Sequence, residues 1–347
     1  GIDPELLFQA VEEALVTAYK KNFGSNQNVR VDMNKVTGEL HIYAQRHIVA
    51  EVGDDPNEIS LEEARKIDPR YEVDDIVETE VTPRNFGRIA AQNAKQVVVQ
   101  RIREAERGMV FEKFSSREND IVTGIIQRME NKNVYIDLGK AEAILTPNEQ
   151  IPGEIYQYHD RMKTYIVEVK KTSKGPQIMV SRTHPGLLKR LFELEVPEIH
   201  DGLVEIKSVA REPGMRSKIS VYTKDENIDP VGACVGHKGM RVQTIVNELR
   251  GEKIDIVKYS SEPDQYVANA LSPAKVVSTE VLEEEKICRV IVPDYQLSLA
   301  IGKEGQNARL AAKLTGWKID IKSESQAAEE AEQGAQEVGV AYEADED

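Results

Sequence analysis

No run of about 18 apolar residues occurs in this chain of 347, so no membrane-spanning helix is expected. Cysteine is nearly absent. Cys234 and Cys288 stand alone, without a CxxC pair, and the six histidines are scattered. That excludes a disulfide framework and leaves no zinc-type spacing. Two buried thiols in a reducing cytosolic compartment is the reading of that pattern. Aromatic residues make up only 5 %, with one tryptophan, so a binding surface built mainly on stacking is disfavoured. The chain opens Gly1-Ile2-Asp3-Pro4, with neither an initiator methionine nor a signal-peptide pattern, and reads as starting inside a longer gene product.

Net positive charge is also missing: the formal balance is −15. Its location matters more than its size. Residues 1–83 hold 18 acidic and 8 basic side chains, and 84–110 hold 2 and 6. Residues 111–322 hold 31 of each, and 323–347 hold 9 and 0. The acid excess sits at the two ends. A nucleic-acid surface in the neutral middle has to come from local clusters or backbone groups, not bulk charge.

What the chain does have is clear periodicity. Residues 4–22 place Leu7, Ala10, Val11, Ala14, Leu15 and Ala18 on one helical stripe, with Asp3 as N-cap and Pro4 in the first turn. "NVRVDMNKVTGELHIYA" alternates and turns at Thr37-Gly38, a hairpin. Ser60 with Glu63 three residues on is a capping box for a short helix, and "DIVETEVTP" is a strand. Residues 85–107 read as one long helix. Between 119 and 182 come five short β-rich runs with turn residues between them, which fit an OB-type barrel. After Pro185 the order becomes helix, strand, strand, short helix, turn, helix, strand, and then the same order recurs.

The recurrence is visible letter by letter. "VGHKGMRVQTIVNELRGEKIDI" at 235–256 is answered by "IGKEGQNARLAAKLTGWKIDI" at 301–321. The glycines Gly236 and Gly239 recur as Gly302 and Gly305 at an offset of 66, and the Lys-Ile-Asp-Ile strands at 65. A period this long means two copies of one small domain. Glycines at a turn between two helices let a sugar–phosphate backbone approach the main chain, and the second helix offers free N–H groups there. His237 and Lys238 lie inside the first loop, Lys303 and Glu304 inside the second. Arg241 and Arg309 lie just beyond. Val231, Ala233 and Val235, and Leu297, Leu299 and Ile301, are placed to line grooves for bases. A lone Gly-x-x-Gly is a common helix turn; two copies in one α-β-β-α-α-β context are not.

This order resembles the bacterial type of KH domain, whose Gly-x-x-Gly loop clamps about four nucleotides of single-stranded RNA or DNA. "TGIIQRMENKNVYIDLGKAEAIL" and "QIMVSR" resemble the OB domain of the ribosomal-protein S-one type. Tyr135 is the one aromatic in its second strand, and is either an RNA contact or a packing residue; Thr146 stands where that class often has histidine. With "VTPRNFGRIAAQNAKQVVVQRIREAER" ahead and "VPDYQLSLAIGKEGQNARLAAKLTGWKIDIKSE" behind, nearly all of the chain before the tail resembles the NusA family of bacterial transcription factors. The fold implied is multidomain α+β. Residues 1–110 are an N-terminal α/β domain with a long connecting helix, and 111–184 an OB-type β-barrel. Residues 185–261 and 262–322 are two tandem bacterial-type (type II) KH domains. Residues 323–347 are a disordered acidic tail, dispensable for folding.

The resemblance implies a cytoplasmic, non-enzymatic, monomeric regulator without cofactor or metal. It would bind DNA-directed RNA polymerase through 1–110 and nascent single-stranded RNA through the barrel and KH domains. It would promote pausing and intrinsic termination, and join antitermination complexes with other elongation and antitermination factors. The RNA-binding residues would be Gly236, His237, Lys238, Gly239, Arg241, Gly302, Lys303, Glu304, Gly305, Arg309 and Tyr135. An alternative is the RNA-holding module of an RNA-processing or degrading assembly. Such phosphorolytic nucleases carry KH before the barrel and large catalytic domains ahead of both, for which 110 residues leave no room. A structural ribosomal component would be strongly basic, and this chain is not.

Overall fold

The computed structural model describes residues 3–330 and 332, apart from 25, 36 and 54. The chain divides into two compact units after Val110. In the first, α1 (Pro4–Phe23) starts where the Asp3 carboxylate accepts from the Glu5 N–H at 3.0 Å. Its inner face, Val11, Leu15 and Tyr19, packs on Val29, Val31 and Ile42 of a sheet and on Phe86 and Ala90. In that sheet β1 (Asn28–Met33) and β2 (Leu40–Val49) form the expected hairpin. β2 also pairs in parallel with β3 (Glu58–Ser60) and antiparallel with β4 (Ile76–Glu80). The Ser60 hydroxyl caps α2 (Leu61–Ile67), accepting from Glu63 N–H at 3.3 Å.

The long helix is longer than its sequence suggested. α3 spans Phe86–Ser115, 30 residues rather than 23, or roughly 45 Å at about 1.5 Å per residue. Gly108 does not stop it, because one helical glycine costs only about 1 kcal/mol and good helix formers flank it. Its last turn belongs to the second unit, where Phe114 is buried and the Lys171 ammonium sits 4.5 Å over the Phe111 ring.

The second unit begins with a closed five-stranded barrel: β5 (Ile121–Glu130), β6 (Asn133–Asp137), β7 (Glu142–Leu145), β8 (Arg161–Thr172) and β9 (Gly175–Ser181). The strands pair in the order β5-β6-β7-β9-β8 and back to β5, with β7–β9 parallel. This is OB topology. Alternate residues fill the interior, among them Ile126, Ile136, Leu145, Ile166 and Val180, all fully buried.

Two α/β modules follow, built alike. The first has α4 (Pro185–Glu195), a short α5 (Pro197–His200) that the sequence reading missed, β10 (Glu205–Glu212), β11 (Arg216–Tyr222), α6 (Pro230–Val235), α7 (Met240–Glu248) and β12 (Lys253–Lys258). The second has α8 (Pro263–Ala270), β13 (Ser278–Leu282), β14 (Ile287–Val292), α9 (Leu297–Ile301), α10 (Gln306–Thr315) and β15 (Lys318–Ser323). In both, the first two strands pair antiparallel and the last joins the middle one in parallel.

Shared cores join the three modules. Ile121 and Tyr165 of the barrel lie in one cluster with Leu187, Leu191, Phe192, Ile219 and Cys234. The Tyr165 ring stacks on His184 at 4.5 Å, and a Cβ on Gly186 would come within 2.5 Å of that ring. Arg182, fully buried, pairs with Glu154 and donates to the Glu248 carbonyl at 3.1 Å. Ala210 and Val257 of the first α/β module belong to the core of the second. Across that seam the Lys218 ammonium reaches the Ser272 carbonyl at 2.8 Å, and the Tyr266 hydroxyl bridges Ser220 Oγ at 2.8 Å and the Leu314 carbonyl at 3.1 Å. Burial pushes the Cys234 thiol up to about 12, so it is an inert packing group.

The tail begins later than expected. Ser323 still pairs with Val292, and residues 324–330 are helical. A capping box starts that helix: Ser323 N–H donates to Gln326 Oε1 at 3.1 Å, and Gln326 N–H to Ser323 Oγ at 3.3 Å. The Ser325 hydroxyl also ties it to Asp294 at 2.5 Å. The rest of the tail, 331 and 333–347, lies outside the described residues. Truncation after Lys322 is therefore expected to cost about 1 kcal/mol through the lost cap, read as a lower urea midpoint, whereas truncation after Glu332 leaves these bonds intact.

Candidate nucleic-acid interface

The two Gly-x-x-Gly turns have the same backbone. Gly236 has φ 74 and ψ 176, and Gly302 has φ 77 and ψ 171. Lys238 and Glu304 both adopt the left-handed region, at φ 50 and φ 54. Gly239 and Gly305 follow at φ 76 and φ 74. The first glycine of each turn is fixed twice over. Its backbone lies in a region essentially reserved for glycine, and a Cβ would stand 2.6 Å from Arg241 Cγ in one copy and 2.8 Å from the Asn307 backbone nitrogen in the other. The second glycine faces open space in the first copy. Gly302→Ala is expected to destabilise by about 1–3 kcal/mol, more than Gly305→Ala; thermal unfolding of the two variants checks the order.

Each turn ends on a helix whose first N–H groups have no side-chain cap. Gly239 and Met240 N–H bond back to the Gly236 and His237 carbonyls, and Gly305 and Gln306 N–H to those of Gly302 and Lys303, so the anion-binding point of each loop is made by the amides between its glycines and the positive end of the α7 or α10 dipole. His237 and Lys238 in the first loop, and Lys303 and Glu304 in the second, are exposed. The loops thus present backbone donors with two potential cations in the first copy and one in the second. Exposed apolar groups border them: Met240 beside the first, Leu299 and Ile301 beside the second, and Tyr295, 82 % exposed, in the turn before α9. Met240 and Tyr295 were not singled out from sequence, because helical phase alone does not show which residues a short helix leaves uncovered. Val231, Ala233 and Leu297 instead pack partly into the two cores.

The arginines are placed differently from the loop residues. Arg241 donates to Glu198 at 2.9 Å and to the Ala233 carbonyl at 2.6 Å, beneath the first loop. Its counterpart at the repeat offset is not Arg309 but Asn307, which is buried under the second loop and donates to the Leu271 and Ala300 carbonyls. Arg309 reaches back to Glu212 at 2.6 Å, and Gln306 joins the same carboxylate at 2.9 Å. The Arg309 bond holds the Glu212 carboxyl below its usual range. Arg241 and Arg309 therefore brace the loops and the seam between modules. On the barrel, Tyr135 is half-buried on β6, with the Arg128 guanidinium 4.1 Å over its ring.

Comparison with known proteins agrees with this architecture. Residues 1–108 match a model of the NusA N-terminal domain, and 115–181 one of the S1 RNA binding domain. Residues 182–259 and 263–329 match the NusA-like first and second KH domains. The transcription termination/antitermination protein NusA of Halalkalibacterium halodurans is 66 % identical over 329 residues, covering 95 % of this chain and 86 % of that protein. Its counterpart in Bacillus subtilis is also 66 % identical, over 95 % of this chain and 89 % of that one. A solution structure of the N-terminal domain of NusA from B. subtilis is 58 % identical, with TM-score 0.29, over 31 % of this chain and 86 % of that one. Across four successive domains and at this identity, the chain belongs to the NusA family of transcription termination/antitermination proteins.

Proposed function

We propose that this protein regulates elongating transcription by holding RNA polymerase through residues 1–110 and the emerging single-stranded transcript through the barrel and both KH modules. In this reading it favours pausing and intrinsic termination, takes part in antitermination complexes with further factors, and performs no catalysis of its own. The observation that carries it is the pair of matched Gly-x-x-Gly loops, each leading into a helix start without a side-chain cap. Both lie in one packed body with an OB barrel. Phosphates sit on the loop amides with Lys238 and Lys303 beside them, and bases lie against Met240, Leu299, Ile301 and Tyr295. Gly236, Gly239, Gly302 and Gly305 supply the close approach, with Arg241 and Arg309 as braces. The RNA-processing alternative gains no support from any observation above.

The charge division supports the allocation of partners. Residues 1–83 carry a net −10, a poor surface for RNA and a workable one for a protein. A pull-down with core RNA polymerase tests this. The intact chain is expected to be retained, and a chain lacking residues 1–110 to lose retention while keeping RNA affinity. Equal retention of both would overturn the allocation.

A further inference from the structure

A cavity of about 310 Å³ at the far end of the first KH sheet has no part in the reading above. The ends of β11 and β12 and the loop after β11 line it, including Tyr222, Glu226, Ile228, Lys258 and Tyr259. Its size is at the lower end of ligand pockets, roughly 300–1,000 Å³, suited to one planar heterocycle.

In a chain with 5 % aromatics, two tyrosines line this cavity and a third, the buried Tyr266, packs behind them. Tyr222 and Tyr259 lie edge to face with centroids 5.9 Å apart and planes at 83°, and Tyr259 meets Tyr266 at 5.0 Å. The Tyr266 hydroxyl is used in the seam between modules. Those of Tyr222 and Tyr259, both half-buried, hold no hydrogen bond among the described residues, and Tyr259 also packs against the core of the second module. The Lys207 ammonium lies 4.9 Å from the Tyr222 centroid, and Lys258 is exposed at the rim. Aromatic rings with cations beside them are the means by which single strands are held, base on ring and phosphate on ammonium. The acids at the mouth suit a base rather than a phosphate inside. Asp225 is engaged by Asn227 at 2.9 Å, and Glu226 is exposed and able to accept from base N–H groups.

Position fits as well. Pro230, which lines the cavity, begins α6, and Gly236 follows its end. Six helical residues span about 9 Å, within reach of one strand. Tyr259 lies four residues before α8 of the second module. We propose that this cavity takes one unpaired base of the bound RNA against Tyr222 and Tyr259, with a neighbouring phosphate on Lys258; this rests on the RNA-clamp reading above.

The test uses the full chain and short single-stranded RNAs carrying one 5-iodouridine at successive positions, irradiated and mapped by peptide mass. One position is expected to give an adduct on Tyr222 or Tyr259. Tyr222→Ala is expected to remove it and to lower affinity about tenfold, the scale of one lost base–aromatic stack, while Tyr222→Phe keeps both. Adducts confined to the loop peptides, with Tyr222→Ala binding like the parent, would overturn the pocket and leave the clamps standing. A parent chain that binds no RNA would overturn the clamp reading itself. If Tyr222→Ala fails to fold, Lys258→Glu at its exposed site decides: lower affinity supports the pocket, and parental affinity and adduct yield overturn it.

Discussion

With His237 and Lys238 both replaced by Asp, affinity for single-stranded RNA is expected to fall about ten- to a hundredfold, or about 1–3 kcal/mol. Both side chains are exposed, and the glycines that set the turn remain. Lys238 sits at φ 50, a conformation that aspartate tolerates better than most residues. The melting temperature should therefore stay close to that of the parent. Carboxylates placed in the loop at the positive end of the α7 dipole occupy the point where a phosphate would sit. The matching change at Lys303 and Glu304 is expected to cost less, because Glu304 is already acidic. Fluorescence anisotropy with a labelled oligonucleotide at fixed salt measures both. If the two variants bind like the parent, the loops are only a shared way of turning between helices.

Arg211→Met is expected to destabilise the fold by about 3–5 kcal/mol, the cost of leaving one partner of a buried ion pair alone. Glu252 and Arg211 are both fully buried at the side chain. The carboxylate accepts from Arg211 at 2.8 and 2.9 Å, from the Ser217 hydroxyl at 2.6 Å and from Gly214 N–H at 2.8 Å. Arg211 also donates to the His184 carbonyl at 2.9 Å, so the pair joins the start of α4 to the sheet. Burial alone would raise the Glu252 pKa; the bond and charge of Arg211, with Ser217 and Gly214, outweigh it and bring it below the ordinary value. The sign follows: this stability is present above the unfolded carboxylate value of about 4.3 and is lost as pH falls through the lower folded value. In Arg211→Met the isolated carboxyl takes up a proton more readily. The deficit in urea unfolding should then be smaller near pH 4 than at pH 7. An equal deficit at both would mean that lost packing, not the stranded charge, sets the cost.

Most of the second unit was legible because its signals are local and repeated. Gly236 and Gly302 each announce a turn, and the Lys-Ile-Asp-Ile strands fix the phase of what lies between. Ser60 with Glu63 gave the start of α2 in the same way. The same type of signal stands at Ser323 and Gln326, but in the sequence the acidic composition beyond it outweighs a four-residue pattern. The extra length of α3 was not legible, since Gly108 reads as a helix stop and only the burial of Phe114 in the second unit shows that the helix runs past it. Arg241 and Arg309 show a different limit. Their carboxylate partners are 43 and 97 residues away in sequence, and only the folded chain brings Glu198 and Glu212 to them.

In the proposed reading two like loops, fixed in one body, act together on one strand. Joint action is read by comparing the parent with a variant carrying Asp at 237, 238 and 303, titrated with an RNA long enough to reach both loops. Both chains are followed over a range of salt concentrations. The expected result is a larger loss than either single-loop variant shows, since linked sites lose their mutual reinforcement, together with a shallower salt dependence from fewer phosphate contacts. Parental affinity and parental salt slope in that variant would mean that the loops do not hold RNA.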